Sequence, residues 1–281
     1  MMSKDTKNRA ATINELITAV IENQYGLDPK NIRISGAFHI KQGTRLTEKS
    51  QRYRNNYLLL RVGTAFGACS IEENALSDEI AHELPGNVVY SLLQDERVPV
   101  RIAALDAYFN LVHPHENNQR ATPFLLPGGT AVERAQHRDA AITSLVAITS
   151  GMRVTLIGVV NPLVKAIESV GGICLPCDLN LRKTQDGQLI EQDMYKVIHD
   201  CDMIIATGMT MSNGSFDVLL QTGRERNTPL IVYAQTGSGI APNFLDNGVA
   251  AISAEPFPFS QFSAHDTTLY LYKRRGCPGV S

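Results

Sequence analysis

From residue 153 onward, short apolar runs alternate with amphipathic segments. The apolar runs predict strands at 153–160, 173–178, 202–207, 229–235, 249–254 and 268–274. The amphipathic segments predict helices at 162–170, 191–200 and 215–225, with a short one at 241–247. Strands that are apolar throughout and alternate with helices indicate a parallel sheet with both faces covered. Right-handed crossovers then make the sheet doubly wound.

The first half of the chain has a mixed pattern. Apolar residues at helical spacing predict helices at 11–24, 76–84, 87–94 and 100–112, and shorter apolar runs predict strands at 31–40 and 56–63. Thr130 and Glu133 have the spacing of a capping box, which predicts that a helix starts there. Gly151 is expected to end that helix.

The segment 113–129 is rich in His, Asn and Pro, as expected of a connection between domains. We therefore predict an α/β protein whose residues 1–125 form a small α+β domain. Residues 126–281 are predicted to form a Rossmann-like, doubly wound, mainly parallel sheet.

The unusual turns of the predicted sheet gather on one edge. Ligands of such sheets bind in the crevice outside the carboxyl ends of the strands. The turns at that edge are rich in glycine and polar side chains, whereas those at the opposite edge are ordinary connectors. We predict that a small-molecule ligand binds there, through Gly158, Asn161, Asp178, Thr207, Gly208, Thr210, Asn213, Gly214, Thr236, Gly237 and Ser238.

The turn TGMTMSNG (207–214), after the third predicted strand, combines hydroxyl and amide side chains with two glycines. These glycines permit positive φ or the close approach of a ligand, and backbone N–H groups at the start of the next helix favour an anion. Alternatively, Ser212 or Asn213 caps that helix. The turn AQTGSG (234–239) has the same character and is a second candidate for binding an anion.

Asp178 ends the second predicted strand, twenty positions after Gly158. An acid at this place binds a ribose hydroxyl in dinucleotide folds, and enzymes that use S-adenosylmethionine often have one similarly. The first turn, GVVNPL, lacks the pattern G-x-G-x-x-G, which argues against NAD. Asp178 therefore either contacts an adenosine-containing ligand or caps a turn.

Composition narrows the possible partners. The formal net charge is −2 and no basic run occurs, so we expect no nucleic acid partner. No apolar run reaches the roughly 20 residues that span a bilayer, and the start of the chain has no apolar core of a signal peptide. The five cysteines are irregularly spaced. We expect a reduced, cytoplasmic protein with no membrane partner.

His113 and His115 lie at i and i+2 and are the candidate ligands of a divalent metal ion. A third ligand has to come from elsewhere, such as His39, His265 or Asp266, and a polar linker is the alternative interpretation. Cys174 and Cys177 have C-x-x-C spacing, but the first lies inside a predicted strand. Burial as small apolar residues is therefore expected of this pair.

The segment CDMIIATGMTMSNGSFDVLL (201–220) resembles the signature of the putative heavy-metal-chelation family. Its matching positions are Asp202, Thr207, Gly208, Thr210, Asn213, Gly214, Ser215 and Asp217. The segments 100–112 and 240–253 are similar to other parts of that family. The resemblance implies an enolase-N-terminal-like domain followed by a Rossmann-like domain, with a ligand in the cleft between them. It adds Asp217 to the predicted ligand-binding residues.

Two functions follow as hypotheses, and a third, a non-catalytic scaffold, has the least support in the sequence. The first is an enzyme of metabolite biosynthesis, with a metallophore as one candidate product, that acts in the cleft between the domains. An adenosine-containing ligand such as S-adenosylmethionine is a candidate cofactor, and the pattern assigns no catalytic residue. The second is a protein that binds a metal ion or a metal chelate without catalysis. Domains of this kind often form dimers, so a homodimer is expected.

Overall fold

The computed structural model describes residues 10–45, 52–73 and 75–274. The helices are α1 (Ile13–Ile21), α2 (Ile80–Glu83), α3 (Val89–Leu92), α4 (Val98–Val112), α5 (Ala131–Thr143), α6 (Asn161–Ser169) and α7 (Ser215–Glu225). The strands are β1 (Gly36–Arg45), β2 (Arg52–Val62), β3 (Ala65–Ile71), β4 (Thr122–Leu126), β5 (Arg153–Ile157), β6 (Ile173–Cys177), β7 (Met203–Thr207), β8 (Leu230–Ala234), β9 (Val249–Ala254) and β10 (Thr267–Lys273). None of the helices in this part of the chain has the length and apolar character needed to cross a bilayer.

The first sheet is antiparallel, with the order β1-β2-β3, and α4 packs against one of its faces. Gly67 makes this packing close, because an added Cβ would lie 2.0 Å from the backbone nitrogen of Ala107. The prediction included β1 and β2 but missed β3. That strand contains Gly67 and the polar Ser70, which interrupt its apolar run.

The second sheet has seven strands in the order β4-β10-β9-β8-β7-β5-β6. The five strands from β5 to β9 are parallel, and β10 runs antiparallel to both of its neighbours. Counted along the chain, the parallel strands have the order 2-1-3-4-5, which is a doubly wound arrangement whose topological switch point lies between β5 and β7. The predicted fold class, with a Rossmann-like, mainly parallel sheet, is confirmed.

Alternate residues of the central strands pack on opposite faces of the second sheet. On β7, Ile204 and Ala206 belong to a core shared with α7 and α4, whereas Met203 and Ile205 belong to a core shared with α6 and the end of α5. Both faces are therefore buried, which explains why these strands are apolar throughout.

Several predictions about elements need correction. β4 lies inside the predicted loop 113–129, where no strand was expected, and the predicted domain boundary at 125/126 stays a prediction. The predicted helix 191–200 is a single 3-10 turn, Met194–Lys196. There the backbone of Glu191 pairs with Pro176 and Asp178 instead, which extends the edge of the sheet.

The capping box of Thr130 and Glu133 is present as predicted, but α5 ends at Thr143, well before Gly151. Gly151 instead has a φ of 82° in the turn that precedes β5, where its N–H donates to the carbonyl of Gly171. The segments predicted as helices at 76–84 and 87–94 form only the short helices α2 and α3.

Candidate functional site

A cavity of about 1250 Å³ lies between the two sheets, at the carboxyl ends of the parallel strands. We call it the intersheet cavity. One wall comes from the first sheet and includes Asn55, Tyr57 and Ser70. The opposite wall comes from the second sheet and from α5. Four of the predicted ligand-binding residues line that wall: Gly158, Asp178, Thr207 and Thr236.

The switch point between β5 and β7 is closely packed. Gly158 has a φ of 83°, and a Cβ on it would lie 2.4 Å from Cγ2 of Thr207. The hydroxyl of Tyr233 donates to the carbonyl of Gly158 at 2.5 Å. A residue with a side chain at position 158 would therefore displace both neighbours, which explains the glycine in this turn.

Asp178 joins the turns that follow β5 and β6. Its Oδ2 accepts a hydrogen bond from the N–H of Val159 at 2.9 Å. Its Oδ1 accepts from the N–H groups of Asn180 and Leu181 at 2.8 and 3.0 Å. These contacts are those of the turn-capping acid, which is one of the two roles considered for Asp178, and they place its carboxylate at the cavity wall.

The polar side chains of the turn 207–214 mostly form hydrogen bonds with the backbone of the turn itself. The hydroxyl of Thr210 is buried and donates to the carbonyl of Thr207 at 2.7 Å. Oδ1 of Asn213 accepts from the N–H of Ser215 at 3.1 Å. Gly214 takes the N-cap position of α7 with a φ of 78°.

Gly208 and the turn after β8 approach each other closely. A Cβ on Gly208 would lie 2.1 Å from the carbonyl oxygen of Thr236. A Cβ on Gly237 would lie 2.3 Å from the sulfur of Met211. These glycines therefore hold the two turns together, and neither is a wall of the intersheet cavity.

Three predicted ligand-binding residues lie by a second, smaller cavity of about 250 Å³ between α1, α4 and the start of α7: Asn213, Gly214 and Asp217. Oδ1 of Asp217 accepts from the N–H of Ile13 at 2.9 Å and so supports the first turn of α1. Asn161 is buried, and its Oδ1 accepts from the N–H of Gln185 at 2.7 Å. The structure thus divides the predicted residues between separate places.

The turn 234–239 donates backbone N–H groups to a carboxyl group of the protein itself. Asp106, fully buried on α4, accepts from the N–H of Gly239 at 2.8 Å through one carboxylate oxygen and from the N–H of Ala68 at 2.8 Å through the other. Burial raises the pKa of Asp106 to about 7, although these amides and those of Ile240 and Gly237 lower it. The sequence prediction missed Asp106, which stands in an apolar helix.

The two histidines of the predicted metal pair have different surroundings. The ring of His113 stacks on Phe109 at the end of α4. His115 is buried, its Nδ1 lies 2.6 Å from the hydroxyl of Tyr272, and burial lowers its pKa to about 4. Within residues 10–45, 52–73 and 75–274, no group of three or more His, Cys, Asp or Glu side chains is arranged to hold a metal ion.

A cluster of buried ionisable groups lies where α5 meets the intersheet cavity, and the sequence prediction missed it. Arg138 lines the cavity, and its Nε lies 3.5 Å from Oδ1 of Asp139. Burial raises the pKa of Asp139 to about 6, against the opposite effect of Arg138. The signal was present in the sequence, because Arg134 and Arg138 are four residues apart on the face of α5 that also carries Ala135.

Glu255 forms the floor of this region, together with two glutamines. Its Oε2 accepts from Nε2 of Gln235 at 2.8 Å, and its Oε1 accepts from the N–H of Ser260. The side-chain amides of Gln235 and Gln261 bond reciprocally, at 2.7 and 3.0 Å. Both oxygens of Glu255 thus accept hydrogen bonds from groups of the protein itself.

At the rim of the cavity, His39 and Lys41 share the carboxylate of Asp78. Nδ1 of His39 lies 3.0 Å from Oδ1 of Asp78, and Nζ of Lys41 lies 2.7 Å from the same atom. A hydrogen bond from Lys41, aided by its charge, lowers the pKa of Asp78. A carboxylate next to Nδ1 favours the tautomer in which Nε2 of the histidine accepts a proton.

Residues 140–254 match the family model described as "Putative heavy-metal chelation". Two solved structures of proteins of unknown function from the DUF364 family have a similar fold. One, from Desulfitobacterium hafniense, is 13% identical with a TM-score of 0.60, and the alignment covers 92% of this chain and 97% of that chain. The other, from Pyrococcus horikoshii, is 11% identical with a TM-score of 0.59, and the alignment covers 92% and 99%.

At these identities the likeness shows a shared fold. No curated protein matches the sequence. The resemblance to the putative heavy-metal-chelation family, indicated by the motif in residues 201–220, is therefore confirmed over residues 140–254.

Proposed function

We propose that the protein binds a small organic molecule in the intersheet cavity and acts there as an enzyme of metabolite biosynthesis. The observation that carries this proposal is the position of the cavity. It opens at the carboxyl ends of the parallel strands, beside the switch point between β5 and β7, where doubly wound folds bind their ligands. Its volume, about 1250 Å³, accommodates a molecule of metabolite or cofactor size.

The ionisable groups of the cavity support an enzyme. Strongly perturbed pKa values cluster at functional sites more often than elsewhere. Asp139, with its pKa raised to about 6, is buried beside Arg138, which lines the cavity together with Glu255 and Gln235. His39 lies at the rim with its Nδ1 3.0 Å from Asp78, and an imidazole held in this way is a candidate general acid or base.

The family description favours a second candidate, a protein that binds metal without catalysis. In the described ranges, no three His, Cys, Asp or Glu side chains come together in a way that could bind a bare metal ion. A metal would therefore enter the cavity already coordinated by an organic chelator. S-adenosylmethionine remains a candidate ligand of the first function, since Asp178 stands at the wall where an adenosine would lie.

Native mass spectrometry of protein purified without a histidine tag tests the proposal, together with metal analysis of the same sample. We expect a mass excess from a small organic ligand that is lost on denaturation. Asn55→Trp places an indole in the cavity from the same face of β2 as Tyr57, and we expect it to abolish this excess. Gln221→Trp, on the exposed side of α7, is the matched control and should retain the ligand.

The proposal fails if the wild-type protein takes up no small molecule from a cell extract, or if Asn55→Trp holds the ligand as tightly as Gln221→Trp does. Metal at one equivalent with no organic ligand would favour the second candidate. Thermal unfolding with added S-adenosylmethionine tests that ligand directly, and a bound ligand raises the melting temperature.

A further inference from the structure

Arg138 differs from the arginine one turn before it on α5. Nη1 of Arg134 donates to the carbonyls of Pro127 and His265, and its Nη2 donates to the hydroxyl of Thr267, so Arg134 joins α5 to the segments around β4 and β10. The side chain of Arg138 is 22% exposed and lines the intersheet cavity. Within the described ranges, no carboxylate or carbonyl accepts a hydrogen bond from its two terminal nitrogens.

The acids near Arg138 balance its charge without occupying those nitrogens. Asp139 lies beside Nε, at 3.5 Å. Both oxygens of Glu255 already accept hydrogen bonds from Ser260 and Gln235. A guanidinium remains charged when buried, and neighbouring acids lower the cost of its burial. With respect to residues 10–45, 52–73 and 75–274, the terminal nitrogens therefore face the cavity as unused donors.

The wall of the cavity that comes from the first sheet includes the phenol of Tyr57. Burial raises the pKa of Tyr57, whereas the charge of Arg138 and a hydrogen bond with Gln261 lower it. The ring of Tyr57 packs edge-on against Phe259, 5.5 Å away between centroids. A group that enters between these walls meets the planar fork of a guanidinium on one side and a phenol hydroxyl on the other.

We infer that Arg138 binds an oxyanion of the cavity's ligand, a carboxylate or a phosphate, through its two terminal nitrogens. This inference rests on the proposed function, because it names the chemical class of the molecule that the cavity takes. The fork of a guanidinium matches the two oxygens of either group in a bidentate pair, which an ammonium cannot reproduce.

Titration calorimetry with malonate and with inorganic phosphate tests the inference and distinguishes the two oxyanions. The wild-type protein is expected to bind at least one of them saturably. Arg138→Met should weaken that binding by about 10- to 100-fold, as the loss of a charge-assisted pair does. Arg138→Lys should weaken it by a smaller factor, and Arg226→Met, at an exposed arginine that follows α7, should leave it unchanged.

Arg138→Met leaves Asp139 without its partner, so the double variant Arg138→Met, Asp139→Asn is included to remove both charges. A folded double variant that binds the anions as the wild type does overturns the inference, and so does a wild-type protein that binds neither. If a ligand found by native mass spectrometry is retained equally by this double variant, the inference fails and the proposed function stands. In a further outcome, Asn55→Trp leaves anion binding intact while Arg138→Met abolishes it. That result would support Arg138 as the anion-binding residue and would contradict the cavity as the place where the anion binds.

Discussion

Asp106 offers the sharpest test of how the two sheets are joined, through the substitution Asp106→Asn. Its carboxylate is fully buried and accepts from the N–H groups of Ala68 on β3 and Gly239 after β8. The variant keeps the shape of the side chain but replaces one acceptor by an N–H₂ donor, which then faces a backbone N–H. Leaving that pair unsatisfied should cost about 1 to 3 kcal/mol in the free energy of unfolding.

The pH dependence of this cost shows which form of Asp106 the folded protein favours, the neutral acid or the charged carboxylate. The pKa of Asp106 is about 7 in the folded protein, against 3.8 for the ordinary group, so the folded state holds its proton more tightly than the unfolded state. The associated stability is fully present below pH 3.8 and is lost as the pH rises through 7. The difference corresponds to about 4 kcal/mol in total, or about 1.4 kcal/mol for each pH unit between 5 and 6.

The assay is urea denaturation of both proteins between pH 5 and pH 8.5, followed by circular dichroism. Because asparagine does not titrate, the stability advantage of the wild type over Asp106→Asn should shrink as the pH rises and become flat above pH 8. Asp186→Asn, at an exposed ion pair with Lys165, is the control and should change stability by less than about 0.5 kcal/mol at every pH. An advantage that stays constant or grows with pH refutes the reasoning, because the charged carboxylate would then be the favoured form.

Three further substitutions test local packing and capping, each by the free energy of unfolding in urea. Gly208→Ala should destabilise the protein by about 3 kcal/mol or more, because its Cβ would meet the carbonyl of Thr236 at 2.1 Å; a loss below 1 kcal/mol would mean that the two turns separate easily. Asp217→Ala removes the acceptor of the Ile13 N–H and should cost about 1 kcal/mol, and an unchanged stability would show that water replaces it. Thr130→Ala removes the capping box of α5 and should also cost about 1 kcal/mol, whereas Thr130→Ser should restore most of it.

The parallel sheet was predictable because its strands are buried on both faces. Runs such as 202–207 and 249–254 are apolar throughout, and the structure has strands at Met203–Thr207 and Val249–Ala254. β4 was missed because Pro123 lies within it, and proline at a sheet edge resembles a loop in sequence. The segment 191–200 has helical character, but the backbone bonds of Glu191 to the sheet edge prevail there.

The predicted site residues came from turns at one edge of one sheet. That reasoning placed Gly158, Asp178, Thr207 and Thr236 where they line the cavity. It could not supply the other wall, because which face of β2 meets that edge depends on how the two sheets pack. Asp106 was missed for the same reason. Its carboxyl group accepts a hydrogen bond from the turn after β8, which is far away in the sequence.

Gly208 has a consequence for how relatives of this protein are compared. The glycine is required because two stretches of backbone pass each other with no room for a methyl group between them. A match to the motif around Gly208 is therefore evidence of a shared backbone arrangement and does not by itself identify a ligand. Differences in ligand among such proteins should be sought at positions equivalent to Arg138 and Tyr57, where side chains, and not backbone spacing, meet the cavity.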